Sequence, residues 1–502
     1  MSIEQNELNT GRRRWGLVAL AVFAIAVRAA AVFAVGSYKL DHVTYEHGEI
    51  ARNLVEGRGF VVRWMGAEGP TSQQAPVYPT FVAAFYWLFG VQTTSAVLAI
   101  QLAQCVIGGL LAAGVVMLAS ILMPNRPGAA WQSGIGVAVY PTLVYSATHV
   151  QVASLATTLL VLVLWTAARA GQSRSLFHAT VCGLIGGLLV LTDPILGLVV
   201  LVAFGVIWTE NSVSKQESTR SSSDVPATRY SEFRTQYSVR FRRLPFARVQ
   251  LIAVVLAAFT AVTTPWIMRN YVVHGEFVFV KSTFGYAFWQ GNHPQSFGTD
   301  KIPLPPSSDR EATPSGGLRG LEQSLWRTRM IDTLYIDDAV LPNERIAELG
   351  RFSEPERSRQ LMAEAMDYIR QHPSHYLRLC LQRLRFFLWF DETNPKSRVF
   401  VYRVSHLSLQ LLAVAGLWLS RCHWRQLWPT YTVIALATLF HTLTIVSARF
   451  HIPLEPLQIV WAACGISLLG EHLISHISSF KTQISNPEPH HSDSLASAPT
   501  GV

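Results

Sequence analysis

The 502-residue chain is predicted to be an all-α polytopic membrane protein with about ten transmembrane helices, juxtamembrane helices in its first external loop and a small mixed or helical external region. Three observations predict this. Half of the residues are hydrophobic and only 15% are charged, too apolar for an ordinary soluble enzyme. Uncharged runs of bilayer-spanning length recur along the chain. Arginines and lysines gather in short stretches between those runs, where they set topology.

Taken in order, a basic N-terminus (1–14) precedes the run Trp15 to Gly36, which is too long and too poor in a small-residue cleavage site for a signal peptide and is read as a retained first span. Further spans are expected near 96–122, 128–146, 149–168, 178–192, 194–208, 249–267, 398–419, 428–446 and 452–472. The run Val77 to Gly90 covers only about half a bilayer and reads as a juxtamembrane or re-entrant helix. The organisation is therefore an N-terminal transmembrane module (15–208) with its first external loop at 37–95, a polar, low-complexity cytoplasmic loop (209–248) expected to be flexible, one span (249–267), an external region (268–397), C-terminal transmembrane helices (398–472) and a disordered cytoplasmic tail (473–502).

Orientation follows the cations. Arg12, Arg13 and Arg14 place the N-terminus inside. If Val77–Gly90 does not cross, Arg126, Arg169, Arg174, the Arg-rich stretch 209–248, Arg421 and Arg425 all fall inside as well. If it crossed, Arg220, Arg229, Arg234, Arg240, Arg242, Arg243 and Arg248 would be pushed outside, against the bias. The same parity puts four connections on the outer face of the cell (inner) membrane: the loop after Tyr38, the Tyr145–Gln151 corner, region 268–397 and the turn Ser447–Pro453. Their convergence points to a site there.

Within the external region, Pro355 at a first turn followed by Leu361, Ala365, Tyr368 and Ile369 has helical spacing. After His372-Pro373, Tyr376, Leu379, Leu381, Leu384, Phe387 and Leu388 interleave with Arg378, Arg383 and Arg385, as in a helix lying on or entering the interface. The region is too small for an independent catalytic domain and is expected to cap the site.

Several classes drop out. The net charge of +9 is accounted for by topology-setting runs, so nucleic acid is set aside. Cys105, Cys182 and Cys464 lie in apolar segments, Cys422 in a short basic loop and Cys380 in the hydrophilic region, which gives no disulfide framework and no cysteine metal site. His490 and His491 in the tail lack further ligands.

The chemistry-bearing residues cluster in the outer connections. Asp41, just outside the first span and beside Glu46 and Glu49, is the equipment for general-base chemistry at a membrane surface, although a solvated acidic loop has the same composition. Thr264-Pro265-Trp266-Ile267-Met268-Arg269-Asn270-Tyr271 ends a span with an aromatic and an Arg, as either an aromatic belt with a snorkelling cation or a phosphate contact. In Arg449-Phe450-His451-Ile452-Pro453-Leu454-Glu455-Pro456, an Arg heads a span from outside and a buried acid follows.

These motifs, in this order, resemble the GT-C class of membrane glycosyltransferases, in particular bacterial protein mannosyltransferases and aminoarabinose transferases. The resemblance rests on Asp41, Tyr45, Ala51-Arg52-Asn53-Leu54, Gly57-Arg58-Gly59-Phe60 and Pro76-Val77-Tyr78-Pro79, then on Pro265-Trp266, Arg269-Asn270-Tyr271, Gly285-Tyr286, Trp289, Gly291-Asn292 and Pro294, and it extends to about Pro456. It implies an inverting transferase that takes a sugar from a polyprenyl-phosphate carrier, with Asp41 as catalytic base. Arg269 and Arg449 become phosphate ligands, and Tyr45, Glu46, Glu49, Tyr78, Gln151, Asn270 and Asn292 become substrate contacts. The apolar surface beside Val77–Gly90 would take the prenyl chain. Three positions depart from the family pattern: Gln151 where many relatives carry an acid, Asp193 where the turn usually carries Arg, and Phe450 for Tyr. No cofactor is specified; a divalent metal is possible but not indicated, and Gln151 weakens a metal-assisted arrangement. The expected partners are the lipid-linked donor, the bilayer and an acceptor protein, lipid or polysaccharide. Two rivals stand beside this reading. A transporter or flippase would show paired halves, and no internal repeat is visible; a catalytically inactive assembly partner would explain the departures but not the retained Asp41.

Overall fold

The computed structural model describes residues 3–40, 44–209, 230–303, 317–331 and 333–485. Helix α1 (Ile3–Val35) stops at Gly36, whose φ of 66° turns the chain into a short 3-10 turn, Ser37–Lys39. The first loop then carries α2 (Tyr45–Val55), an antiparallel hairpin of β1 (Val61–Trp64) and β2 (Ala67–Pro70), and α3 (Val77–Phe89). The bundle continues through α4 (Thr94–Leu122), α5 (Pro127–Val139), α6 (Pro141–Ser146), α7 (Ala153–Ser173), α8 (Leu176–Val190), α9 (Val199–Thr209) and α10 (Tyr230–His274). The following region holds α11 (Phe284–Asn292), β3 (Lys301–Pro303), α12 (Gly317–Ile331), β4 (Thr333–Tyr335), α13 (Ile336–Val340), α14 (Asn343–Leu349), α15 (Glu354–Gln371) and α16 (Pro373–Leu388). Helices α17 (Phe400–Leu419), α18 (Trp424–Leu443) and α19 (Glu455–Ser485) complete the described chain.

Six stretches among the described residues are long and apolar enough to cross a membrane: Gly11–Val35, Thr94–Leu122, Ala153–Ser173, Phe246–His274, Phe400–Leu419 and Ile452–Ile474. Exposed Val18, Val22, Leu110, Leu256 and Leu411 give the bundle an apolar exterior, the surface a bilayer would cover. Neighbouring contacts give the helix directions. Arg28 lies against Gly108 and Ser37 against Gln101, so α1 and α4 run antiparallel. The chain between them leaves and re-enters the bundle at one end, and α3, only 13 residues long, does not traverse it. Thr158 meets Ile107, Cys182 meets Val163, and Gly183 meets Val255, so α7 descends beside α4, α8 returns and α10 ascends beside α8. A side chain at Gly183 would stand 2.3 Å from the Val255 carbonyl, and one at Gly416 2.0 Å from that of Trp461. These glycines set the close approach of α8 to α10 and of α17 to α19.

The interior is a layer of Leu111, Val115, Leu160, Leu164, Val202, Leu457 and Val460. Arg28 is buried within it and donates to the carbonyls of Ala24, Val137 and Ala138, capping the end of α5 with a cation.

Several expected boundaries shift. The run 128–146 breaks at Tyr140, held extended (ψ 123°) by Pro141, and α6 follows as a separate short helix. The corner after α6 delays α7 to Ala153, and a 3-10 turn, Leu196–Leu198, shortens the last span of that module to α9. Helix α10 begins at Tyr230, inside the stretch expected as a flexible linker; residues 210–229 lie outside the described residues. Helix α19 runs to Ser485 rather than ending in a disordered tail, and Glu471 pairs with Arg126 at 2.5 Å near the end of α4; residues 486–502 lie outside the described residues. The two helices read from the external region are α15, with Pro355 in its first turn, and α16.

Candidate functional site

The end of the bundle where α1 stops and α4 begins gathers all four connections singled out from the sequence. Asp41 lies outside the described residues, but its flanks are fixed. Ser37 bonds the Thr148 carbonyl, and Thr44 is buried at the start of α2. Ser37 thereby ties the residues that follow α1 to the α6–α7 corner.

Downstream of α2, the chain is held by a polar brace. The buried carboxylate of Glu354, at the start of α15, accepts from Thr71 Oγ1, the Ser72 backbone N–H at 2.7 Å and Ser282 Oγ. Arg269 donates to the Thr71 carbonyl at 2.6 Å, to Ser72 Oγ and Asn270 Oδ1 at 3.2 Å, and to the Phe60 carbonyl at 3.2 Å, with its guanidinium 4.7 Å from the Trp266 ring centre. Asn270 donates to the Val278 and Val280 carbonyls. Both residues of the Arg-Asn pair are thus engaged in joining α10 to residues 60–72. Asn292 is engaged elsewhere: it is fully buried, donates to Phe288 and Thr444 carbonyls and accepts from Arg383 at 3.0 Å. Arg383 itself is fully buried, donating to Gly291, Thr442 and Thr444 carbonyls, so it fastens α16 to α11 and to the end of α18 rather than facing the interface.

Beyond the brace the groups are less completely matched. Lys281 Nζ donates to Gln74 Oε1 at 3.1 Å. Burial holds its ammonium below the usual lysine range; Asp193 opposes this, Arg449 adds to it, and Glu46 and Glu354 oppose it. His47, on α2, is held down to about 3 by burial first and by Lys281 and Arg449 second. Lys281 and Arg449 thus both act electrostatically on His47, and Lys281 is held to the strap Gln73–Gln74. His47 Nδ1 and Arg52 Nε on α2 and Gln73 Oε1 on the strap are buried without a hydrogen-bond partner. Arg449 is exposed, carried on a turn anchored by Ala448 N–H to Asp391 Oδ2 at 3.2 Å and by Phe450 stacked on His441 at 4.5 Å. The Phe450 departure thus leaves a packed ring.

A second polar group lies at the α6–α7 corner. Glu322 of α12, only 5% exposed, accepts from Tyr145 Oη at 2.7 Å and bonds His149 Nε2 at 2.7 Å, while Thr148 Oγ1 meets His149 Nδ1 at 2.9 Å. Burial raises the Glu322 carboxyl, but the His149 hydrogen bond, Lys396 and Tyr145 outweigh it and bring it down to about 2. Burial and Lys396 lower His149, with the Glu322 carboxylate opposing them. α12 is pinned over the mouth of the first loop, where Trp326 also approaches Tyr45 at 6.2 Å.

The remaining sequence candidates are placed as follows. Tyr78 is fully buried and donates to Gln104 at 2.6 Å, with its ring 5.0 Å from His47. Glu49 accepts from the Arg63 N–H at 3.3 Å, Glu46 is exposed beside Lys281, and Gln151 is half-buried at the corner. Asp193 caps Ile195 N at 3.1 Å and faces Lys281. Along α3, Tyr78, Phe81, Phe85 and Phe89 form a ladder with centroid spacings of 5.7, 5.1 and 6.4 Å, and Trp87 and Leu88 are exposed. An apolar surface thus adjoins the cations. A recess of about 190 Å³ beside the hairpin, lined by Trp64, Glu354 and Arg357, does not include Lys281, Arg449 or His47.

Sequence reasoning missed Lys281, Glu354, Glu322 and the burial of Arg383. Lys281 alone left a trace, as the cation that ends the run Phe277–Val280.

No family model matches the chain, and no curated protein matches it. Among solved structures it is similar to ArnT from Cupriavidus metallidurans bound to undecaprenyl phosphate, with 15% identity over 95% of this chain and 81% of that chain at a TM-score of 0.36. It is also similar to the same protein in the apo state, with 15% identity over 91% and 78% and a TM-score of 0.32. A likeness at those scores carries no argument about fold or activity.

Proposed function

We propose that the chain is an inverting glycosyltransferase that moves a sugar from a polyprenyl-phosphate donor to an acceptor at the outer face of the membrane. The observation that carries this is a pair of cations, Lys281 and Arg449, that both act on His47, whose ring lies 5.0 Å from Tyr78 at the start of the apolar helix α3. A lipid-linked phosphate needs that pairing of cations with apolar surface.

In the reaction, Asp41 removes the proton from the acceptor hydroxyl as that oxygen forms a bond to the anomeric carbon. The bond from the anomeric carbon to the phosphate oxygen breaks, and its electron pair leaves with the polyprenyl phosphate. Lys281 and Arg449 stabilise the charge that grows on this leaving group, so no strong general acid is required. Arg269, Asn270 and Glu354 act at one remove, holding residues 60–76 in position. Glu322 and His149 hold α12 over the opening and limit water access.

The test is transfer by purified protein in lipid nanodiscs supplied with a set of labelled polyprenyl-phosphate sugars. Consumption of one donor with release of polyprenyl phosphate is expected. Movement of donor between leaflets without cleavage would replace this reading with that of a flippase.

A further inference from the structure

We infer that His406, His451 and Glu455 form a site for one divalent transition-metal ion, Zn(II) by donor set, which fastens the external turn before α19 to α17. One ligand atom from each residue lies within 4.8 Å of the others. His406 and Glu455 are completely buried and His451 is 6% exposed. His406 Nδ1 and Nε2, His451 Nδ1 and both oxygens of Glu455 lack any hydrogen-bond partner of normal geometry, as does Thr142 Oγ1 beside Glu455.

Such a concentration of unmatched donor atoms is costly in a helical bundle. A buried carboxylate with only the Thr142 hydroxyl and His451 Nδ1 near it is poorly matched in an apolar interior. His451 Nε2 lies 3.0 Å from Tyr402 Oη, which fixes the ring and turns Nδ1 toward Glu455 Oε1 at 3.2 Å. Nδ1 and Oε1 thus face each other across a gap that a cation bound to both atoms would close. The carbonyls of Leu388 and Trp389 lie next to the His406 ring, placed to accept from one nitrogen and free the other as a ligand. Imidazoles oriented by an outer hydrogen bond are the usual companions of a bound metal. Two imidazoles and one carboxylate match a zinc site with an open position. His451 lies in the turn that carries Arg449, Glu455 opens α19 and His406 belongs to α17, so the ion ties that turn to the bundle.

The experiment takes the full chain in detergent, strips it with a chelator, reloads it with zinc and counts metal by mass spectrometry after desalting. About one equivalent is expected in the wild type. Glu455→Gln and His406→Ala should each reduce it roughly fivefold or more, while His178→Ala on α8 retains it. Cobalt-loaded wild type should show visible d–d absorption that both cluster variants lose. If a variant does not fold, X-ray absorption of the zinc-loaded wild type decides, with a nitrogen and oxygen shell containing two imidazoles expected. Zinc retained through both substitutions, no zinc in the wild type, or a shell containing sulfur would overturn the site. None of these readouts depends on transferase activity.

Discussion

The brace around Glu354 and Arg269 holds Thr71 and Ser72, and the cluster around Lys281 and Arg449 begins at Gln74, yet the two differ in kind. In the brace, Glu354 accepts three hydrogen bonds and Arg269 reaches four acceptors. In the cluster, Lys281 and Arg449 act on the same histidine with Asp193 and Glu46 only partly offsetting the burial of Lys281, and buried polar atoms of His47, Arg52 and Gln73 have no partner. A polar network that is complete within the protein has no need of a ligand, whereas one that is incomplete is built around something else. By that criterion we propose that Arg269, the residue most like a phosphate clamp in sequence, serves the brace and that Lys281, which no motif marks, is the better candidate for the phosphate.

Breaking the brace should have the largest effect. Glu354→Ala leaves the Thr71, Ser72 and Ser282 donors unmatched and should lower stability by about 2–4 kcal/mol. Arg269→Lys should lose stability too, because one ammonium cannot reach the acceptors that the guanidinium fork holds apart. Denaturation in detergent, followed by intrinsic fluorescence, measures both; a stable Glu354→Ala protein would show that the brace is incidental. Next comes Asp41→Asn, which should keep the fold and donor binding while transfer falls by roughly 10²-fold or more in kcat. Glu46→Gln and Glu49→Gln are the controls, and abolition of transfer by either, with Asp41→Asn near normal, would reassign the base.

Smaller effects sharpen the cluster. Arg449→Ala should reduce kcat/KM by roughly 10- to 100-fold with little change in melting, because the side chain is exposed and its turn is anchored through Asp391. Unchanged kinetics would leave Arg449 as a surface cation. The smallest effect at neutral pH concerns α12. Glu322 has a depressed carboxyl pKa, so its contribution is present above the ordinary value of 4.5 and is lost as pH falls toward about 2. His149 is also depressed, so below about 6.5 the undocked state takes up its proton first, with the same sign. Hydrogen exchange of residues 317–326 should therefore quicken on acidification, and Glu322→Gln should remove the part of the response that lies below about pH 4.5. An unchanged rate between pH 7 and 4 would show that this pair does not hold α12.

Helical periodicity and hydrophobic length were legible before any coordinates, because they depend on neighbours in sequence. α15 and α16 follow from Pro355, Leu361 and Ala365 and from Tyr376, Leu379 and Phe387, and α3 follows from the brevity of Val77–Gly90. The pairing of groups distant in sequence was not legible. Glu354 meets Thr71 across 283 positions and His149 meets Glu322 across 173, and no spacing rule connects either pair. Arg383 illustrates the same gap. Its place among alternating leucines is that of an interfacial cation, and only the approach of the Gly291 and Thr444 carbonyls gives it a buried role.

Affinity for polyprenyl phosphate tests the division between brace and cluster most directly. Binding should be measured in nanodiscs for wild type and Lys281→Ala, with melting recorded on the same samples. A Kd raised about tenfold or more with melting unchanged is expected from the loss of one charge-assisted phosphate contact. A Kd equal to the wild-type value would contradict the assignment of Lys281 and return the phosphate to another part of the bundle.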